Sequence, residues 1–378
     1  MLERRPEESS RGRALPSWAR RLLGSPLLEA MTAPHGVSRY LEAIDPAWSL
    51  DEDRAQVLDI RRETEDAVTL VLRPLSAPVP FRAGQFVPLT VEVDGVRRTR
   101  CYSLSCSEHR GDGLLEVTVR RHPRGVVSGY LNDRARPGLV VGLGQAQGEF
   151  TLPSPRPPRL LLISGGSGIT PVMSILRTLC DEGWGGRATF LHYARSPRDV
   201  IFGAELEDLA SRHPNVDLVP VYTRAAPDPR SRGLRGHFTP EHLEAADPGH
   251  RGAETYVCGP PALVAAVREA REAEGLSERL RVEQFEPSPP SHAGTSGRVR
   301  FEASGVATEG DGRTLLELAE AAGLSPEHGC RMGVCHRCTR RLTGGRARHV
   351  RTGEVCAEPG TEIQLCVNAP DGDVAIDL

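Results

Sequence analysis

The chain contains no lysine; all 47 of its basic residues are arginine. Against 50 acidic residues they leave a formal net charge of −3. A nucleic-acid binder carries a marked basic excess, so this balance excludes nucleic acid as a partner. The arginine content is compositional bias, shared with the high Ala, Gly and Pro. Long apolar runs are also missing. Runs such as Leu160 to Ile163 are strand-sized, far short of the ~20 residues that span a bilayer. No apolar stretch follows Arg20 and Arg21, which argues against a secretory or twin-arginine signal. The expectation is a cytoplasmic protein, at most at the inner face of the membrane. The nine cysteines are odd in number and lack that signal, so they do not read as a disulfide framework. Metal ligation, catalysis or core packing remain for them.

What is present reads as several domains, since 378 residues exceed the usual single-domain size. Residues 1–50 form an extension, polar over its first 15 positions. From Trp18 the apolar residues Leu22, Leu23, Leu27 and Leu28 recur at helical spacing, which predicts a segment packed on the body. Residues 51–155 alternate with period two, as in Val68, Leu70 and Leu72 and again in Leu115, Val117 and Val119. Gly and Pro punctuate these runs, so the segment predicts an antiparallel β-barrel. Residues 156–286 begin with a wholly apolar strand and then alternate strands with helices, which predicts a doubly wound α/β domain. Residues 287–297 are a Pro/Ser/Gly linker. Residues 298–378 are a small unit with clustered cysteines.

The most specific motif lies in that last unit. Cys330, Cys335 and Cys338 have the C-x4-C-x2-C spacing of a plant-type [2Fe–2S] site, with Cys366 downstream. Two irons need four thiolates, three of them from one tight loop. Gly329 and Gly333 let the loop curl and aim N–H groups at the sulfurs. A structural zinc site uses paired cysteine knuckles, and only one is here. Cys356 is a rival fourth ligand. Cys366 is preferred because it follows the strand-like stretch Thr361 to Leu365. His336 reads as solvent-facing, because a Rieske-type site needs two histidines.

Three further segments suit nucleotides. Gly165, Gly166, Ser167, Gly168, Thr170 and Pro171 follow a strand and open a helix. Small residues there admit a diphosphate to the helix N-terminus. Thr170 is expected to cap that helix and Pro171 to take its first position. Arg100, Tyr102, Ser103, Leu104 and Ser105 place a cation, an aromatic ring and hydroxyls on one strand, a set able to hold a phosphate and cover a ring. Gly125, Val126, Val127 and Ser128 open a second helix; Ser128 is either a phosphate contact or a plain N-cap.

From about residue 52 to 378 these motifs resemble the ferredoxin–NADP reductase superfamily. The resemblance implies FAD held by Arg100 at its phosphate, by Tyr102 against its ring and by Ser103 near its reactive nitrogen. Gly125 and Ser128 match the family's pyrophosphate turn, although Arg124 replaces its first glycine. Gly165 to Pro171 match the nicotinamide-nucleotide loop. Cys258, Gly259 and Pro260 match the segment beside the nicotinamide, and Glu283 and Phe285 match the end of the reductase module. Ser103, Cys258 and Glu283 are thereby the candidate catalytic set. The domain order resembles phthalate dioxygenase reductase and vanillate demethylase reductases. The RTRCYSLS stretch and the N-terminal extension look closer to actinobacterial reductases of acyl-CoA desaturases.

A nicotinamide gives two electrons at once and a [2Fe–2S] cluster takes one, so a flavin belongs between them. The expected fold is therefore multidomain: an antiparallel β-barrel flavin domain, a doubly wound nucleotide domain and an α+β β-grasp ferredoxin domain. The expected function is electron transfer from NADPH through FAD and the cluster to a redox partner. A di-iron fatty-acyl desaturase is the first reading for that partner, with peripheral membrane association through the acceptor. A soluble hydroxylase, Rieske oxygenase or P450 is the alternative, and a redox sensor without turnover a third. FMN is the alternative flavin. NADPH is preferred to NADH because Arg195, Arg198 and Arg224 follow two strands of the nucleotide domain, where arginines suit a 2′-phosphate.

Overall fold

A computed structural model describes residues 15, 17–25, 28, 31–32, 36–123, 125–224, 233–285, 295–329, 331, 333, 336–350 and 352–378. The chain divides into two compact units, Met1–Gly259 with Leu263–Glu283, and Pro260–Ala262 with Gln284–Leu378. The expectations for residues 1–14, Leu27 and most of the linker lie outside the described residues.

Helices α1 (Ser17–Leu23) and α2 (Gly36–Ile44) lie near the start of the larger unit. In α2, Val37 and Leu41 are one helical turn apart and both buried. In α1, Trp18 and Leu22 stay exposed, at 69% and 64%. The buried apolar side chains of α2 thus carry packing that Trp18 and Leu22 do not, while Leu23 and Leu28 are half-buried.

The first sheet comprises β1 (Arg54–Thr64), β2 (Ala67–Pro74), β3 (Phe86–Val93), β4 (Val96–Ser103), β5 (Leu115–Arg120) and β6 (Val140–Leu143). Its order is β4-β3-β6-β1-β2-β5, with every pairing antiparallel. A bridge between Leu104 and Val117 joins its two edges and closes a barrel. The period-two residues Val68, Leu70, Leu72, Val117 and Val119 fill its core. Each such side chain contributes ~1.5–3 kcal/mol by leaving water. Helix α3 (Val126–Arg134) follows β5.

The second sheet belongs to the same unit. In chain order it runs β7 (Arg159–Gly165), α4 (Ile169–Asp181), β8 (Arg187–Ala194), α5 (Gly203–Arg212), β9 (Val216–Tyr222) and β10 (Leu234–Arg235). It continues α6 (Pro240–Ala246), β11 (Glu254–Cys258), α7 (Pro261–Ala273) and β12 (Leu280–Glu283). The strand order is β10-β9-β8-β7-β11-β12, all parallel. The centre of strand β7, Leu160–Ile163, is apolar because both its faces are covered. Leu160 and Leu162 enter one core cluster, Leu161 and Ile163 another. The chain winds outward from β7 to β10, then crosses back to place β11 on the other side of β7. The crevice between β7 and β11 is thus the topological switch point where such sheets bind ligands. Ala67, Ala83, Phe150 and Leu152 of the barrel side share one core cluster with α4.

The smaller unit holds β13 (Arg298–Phe301), β14 (Val306–Glu309), α8 (Leu315–Ala321), β15 (Thr339–His349), β16 (Val355–Cys356), β17 (Glu362–Gln364) and β18 (Asn368–Ile376). Its mixed sheet has the order β14-β13-β18-β15-β16, with β17 paired to β15 and only β13–β18 parallel. A capping box between Thr314 and Glu317 starts α8, where Glu317 Oε2 accepts from Thr314 N at 2.9 Å. Leu315, Leu316 and Leu318 then pack into the sheet. Among the described residues no helix is long and apolar enough to cross a membrane.

Candidate functional site

The barrel contributes the end of β4. Arg100 Nη1 donates to Thr99 O at 2.7 Å, next to half-buried Tyr102. Burial pushes the Tyr102 phenol above its ordinary range, against the pull of Arg100. Leu104 and Ser105 are fully buried in the barrel wall; Ser105 Oγ reaches Thr118 Oγ1 at 3.2 Å. Ser128 is the third residue of α3, behind Gly125, so it is not the N-cap left open by the sequence. Its hydroxyl donates to Gly125 O at 3.2 Å and accepts from His122 N at 3.1 Å. Val127 is buried and Val126 exposed.

The nucleotide sheet contributes the switch point. Gly165 ends β7, a single 3-10 turn spans Gly166–Gly168, and α4 starts at Ile169. Gly168, not Thr170, is the N-cap, and Pro171 is the third helical residue rather than the first. Thr170 Oγ1 instead donates to Ser167 O at 3.1 Å, because the helix starts two residues earlier than expected. A Cβ on Gly168 would lie 2.2 Å from Cys258 O and 2.6 Å from Gly259 N. Only glycine lets the loop and the end of β11 approach so closely. Pro260 and Phe285 are exposed.

Cys258 pairs in register with Ser164 on one side and Glu283 on the other. It is fully buried, and burial followed by the Glu283 charge raises its thiol well above the ordinary range. Burial pushes the Glu283 carboxyl up to about 8, only partly offset by the Ser103 hydroxyl beside it. Ser103 Oγ and Glu283 Oε2 are sealed from solvent and, apart from each other, have no hydrogen-bond partner among the described residues. The structure thus brings Ser103, Cys258 and Glu283 together where barrel meets sheet. Two buried polar atoms there keep hydrogen-bonding capacity to spare, as expected where a polar ring edge is to be received.

Arg195 and Arg224 follow adjacent strands, and Arg224 N donates to Arg195 O at 2.9 Å. Arg198 lies three residues on, in an exposed 3-10 turn. Sequence reasoning missed the groups around them. Asp66, in the turn between β1 and β2, accepts from Arg120 Nε at 2.9 Å and from Arg195 Nη2 at 3.4 Å. Buried His192 lies opposite Ser164, whose Oγ is 2.7 Å from its Nδ1, and its Nε2 has no partner among the described residues. Burial, then Arg120, hold His192 down to about 3, so it stays neutral. One histidine in the otherwise apolar ATFLHYA strand was its sequence signal; Asp66 had none.

In the smaller unit, Cys338 and Cys366 are both buried. Thr339 of β15 pairs with Gln364 of β17, and Leu365 N donates to Cys338 O at 3.2 Å, which brings the backbone at Cys338 and Cys366 close together. Gly333 N donates to Cys366 Sγ at 3.2 Å, at a φ of +78° that favours glycine. A sulfur already accepting an amide N–H fits an anionic thiolate holding iron. Cys330 and Cys335 lie outside the described residues. Cys356 pairs with Ala347, eight residues along β15 from Thr339. At ~3.3 Å per residue that is roughly 25 Å, too far for the same cluster. His336 is exposed, its Nδ1 2.9 Å from Gln364 Nε2.

Sequence models of three families match this chain. They are the oxidoreductase FAD-binding domain over residues 57–152, the oxidoreductase NAD-binding domain over 162–269 and the 2Fe-2S iron-sulfur cluster binding domain over 299–367. The chain is 38% identical to an NADPH oxidoreductase of Mycobacterium tuberculosis, across 92% of this chain and 90% of that one. The chain belongs to the ferredoxin–NADP reductase superfamily. It is 31% identical to the glycine betaine monooxygenase reductase subunit of Pseudomonas aeruginosa, across 87% of this chain and 96% of that one. Its structure is similar to phthalate dioxygenase reductase, with a TM-score of 0.57 and 27% identity over 86% of this chain and 97% of that one. As a member of this superfamily it is an NAD(P)H-dependent oxidoreductase that passes electrons through FAD and a [2Fe–2S] cluster to a redox partner.

Proposed function

We propose that this chain is the reductase component of an oxygenase, taking reducing equivalents from NADPH and delivering single electrons to that component. The convergence of Ser103, Cys258 and Glu283 beside Gly168 carries the reading, because it joins a flavin-type barrel to a nucleotide switch point. Named relatives support the choice of acceptor: reductase subunits of glycine betaine monooxygenase, of stachydrine N-demethylase and of 3-ketosteroid-9-alpha-monooxygenase. None of these is named for a fatty-acyl desaturase, so the first expectation of a desaturase acceptor has no support from them, nor has the membrane association tied to it. The oxygenase alternative fits better.

When bound, the flavin converts the two-electron donation of the nicotinamide into single-electron traffic. Arg100 neutralises its phosphate, Tyr102 packs on its ring, and the Gly125–Ser128 turn presents backbone N–H groups to its diphosphate. Ser103 and a protonated Glu283 offer hydrogen bonds to the ring edge, since a carboxyl with a pKa near 8 keeps its proton at neutral pH. Gly165, Gly166, Ser167 and Gly168 admit the nicotinamide nucleotide, and Cys258, Gly259 and Pro260 line its ring. Arg195, Arg198 and Arg224 favour the 2′-phosphate of NADPH. Cys330, Cys335, Cys338 and Cys366 hold the cluster, and Phe285 ends the reductase module. Anaerobic titration with NADPH should bleach both flavin and iron–sulfur absorbance; adding a Rieske or P450 oxygenase component with its substrate and dioxygen should restore it, faster than dioxygen alone does, with the substrate hydroxylated. Protein that reduces only a di-iron desaturase would overturn the acceptor assignment.

A further inference from the structure

The carboxylate at the barrel's first turn stands among the arginines assigned to the nucleotide. Asp66 Oδ2 takes Arg120 Nε and Nη2, both at 2.9 Å, and Arg195 Nη2 at 3.4 Å. The same Arg195 nitrogen meets Asp199 Oδ1 at 2.5 Å. Two formal negative charges therefore share one cation that a 2′-phosphate would need. Asp199 comes from the same loop as Arg195, whereas Asp66 is 129 positions away in the other domain. Arg120 meanwhile hangs over the nucleotide turn, its Nη1 2.7 Å from where a Cβ on Gly166 would lie.

We propose that Asp66 is a specificity-determining residue. It competes with the 2′-phosphate of the nucleotide for Arg195 and so holds down the preference for NADPH over NADH from across the domain boundary. The inference rests on the assignment of Arg195 to the 2′-phosphate. An anion that binds Arg195 must displace or tolerate Asp66, while a nucleotide with a free 2′-hydroxyl meets no such competitor. The pair is partly exposed, with side-chain exposures of 45% for Arg195 and 29% for Asp66. Its effect is therefore that of a surface ion pair, about two- to fivefold in affinity.

The test uses the full-length holoprotein. Asp66→Asn keeps the shape of the side chain and leaves the bond from Arg121 N to Asp66 O intact. It should lower KM for NADPH about two- to fivefold, leave kcat unchanged and leave KM for NADH in place. Calorimetry with adenosine 2′,5′-bisphosphate should show the same gain, and adenosine 5′-monophosphate none. Arg195→Gln separates the two claims. If it weakens NADPH but not NADH while Asp66→Asn changes neither preference nor bisphosphate binding, Asp66 is only a strut between domains and the proposal falls. An equal gain for both nucleotides in Asp66→Asn also overturns it. If Arg195→Gln itself fails to discriminate between the nucleotides, the 2′-phosphate assignment is the part that fails.

Discussion

Gly168→Ala should disable the chain at the step from nucleotide to flavin while leaving it folded. The backbone at Gly168 has φ −63° and ψ −5°, which any residue adopts, so the substitution brings no torsional strain. Its Cβ would sit 2.2 Å from Cys258 O, where ordinary contact begins near 3.4 Å. The loop and the end of β11 must therefore part by about 1.2 Å, since backbone stands on both sides and no flexible side chain can yield. Overpacking of this kind costs ~1–3 kcal/mol of stability, within the reserve of a typical domain. A displacement of ~1 Å at a transfer site costs on the order of a hundredfold in rate. Stopped-flow flavin reduction by NADPH should therefore slow about a hundredfold, with the flavin spectrum little changed and the melting temperature lowered by only several degrees. Gly185→Ala, where a Cβ meets nothing within 4 Å, is the control and should react normally. Wild-type reduction rates in Gly168→Ala would refute the argument that this contact sets the geometry of transfer.

Other perturbations follow from the same chemistry. Glu283 binds a proton in the folded chain up to about pH 8, but only to about 4.5 when unfolded. Its stabilising contribution is therefore complete below pH 4.5 and drains as pH rises through 8, by up to ~1.4 kcal/mol per pH unit. Glu283→Gln, neutral throughout, should become progressively more stable than wild-type apoprotein between pH 6 and 9 in urea titrations; parallel curves would contradict the raised pKa. His192 behaves in the opposite sense. Folded, it refuses a proton down to about pH 3, whereas the unfolded chain takes one near 6.5, so wild type loses stability as pH falls below 6.5. His192→Leu should cost ~1 kcal/mol at pH 8 through the stranded Ser164 hydroxyl, and should overtake wild type toward pH 4. A constant difference across that range would mean that the imidazole is not buried. Gly333→Ala forces a left-handed residue against Val367 Cγ2 at 2.8 Å and displaces the N–H donor to Cys366. It should lower iron content per chain and make the cluster harder to reduce, as read by electron paramagnetic resonance during a reductive titration; unchanged iron and potential would remove that N–H from the cluster's support.

The cluster motif and the switch-point loop were legible because each depends on residue type at fixed spacing. Cys338 and Cys366 are set by short-range register between β15 and β17, and a Gly-rich turn after an apolar strand has few other uses. The start of α4 came two residues earlier than expected because the 3-10 turn Gly166–Gly168 runs straight into it, and such a turn leaves no pattern distinct from a helix start. Trp18 and Leu22 have the spacing of a buried stripe yet remain exposed, since periodicity states which residues share a face and not what covers it. The Asp66–Arg195 pair was invisible for a different reason. Contacts between remote turns are decided by how two cores fuse, and no local propensity encodes that.

The fusion of barrel and nucleotide sheet through Phe150, Leu152 and helix α4 has a further consequence for how such proteins diversify. A recombination event that cut between these two parts would expose apolar surface on both and leave neither able to stand. A cut past Phe285 severs the chain between two self-contained cores. Shuffling of ferredoxin modules onto reductases, whether by nature or by design, thus has one permissive seam in this polypeptide, and the flavin and nucleotide parts travel as an inseparable cassette.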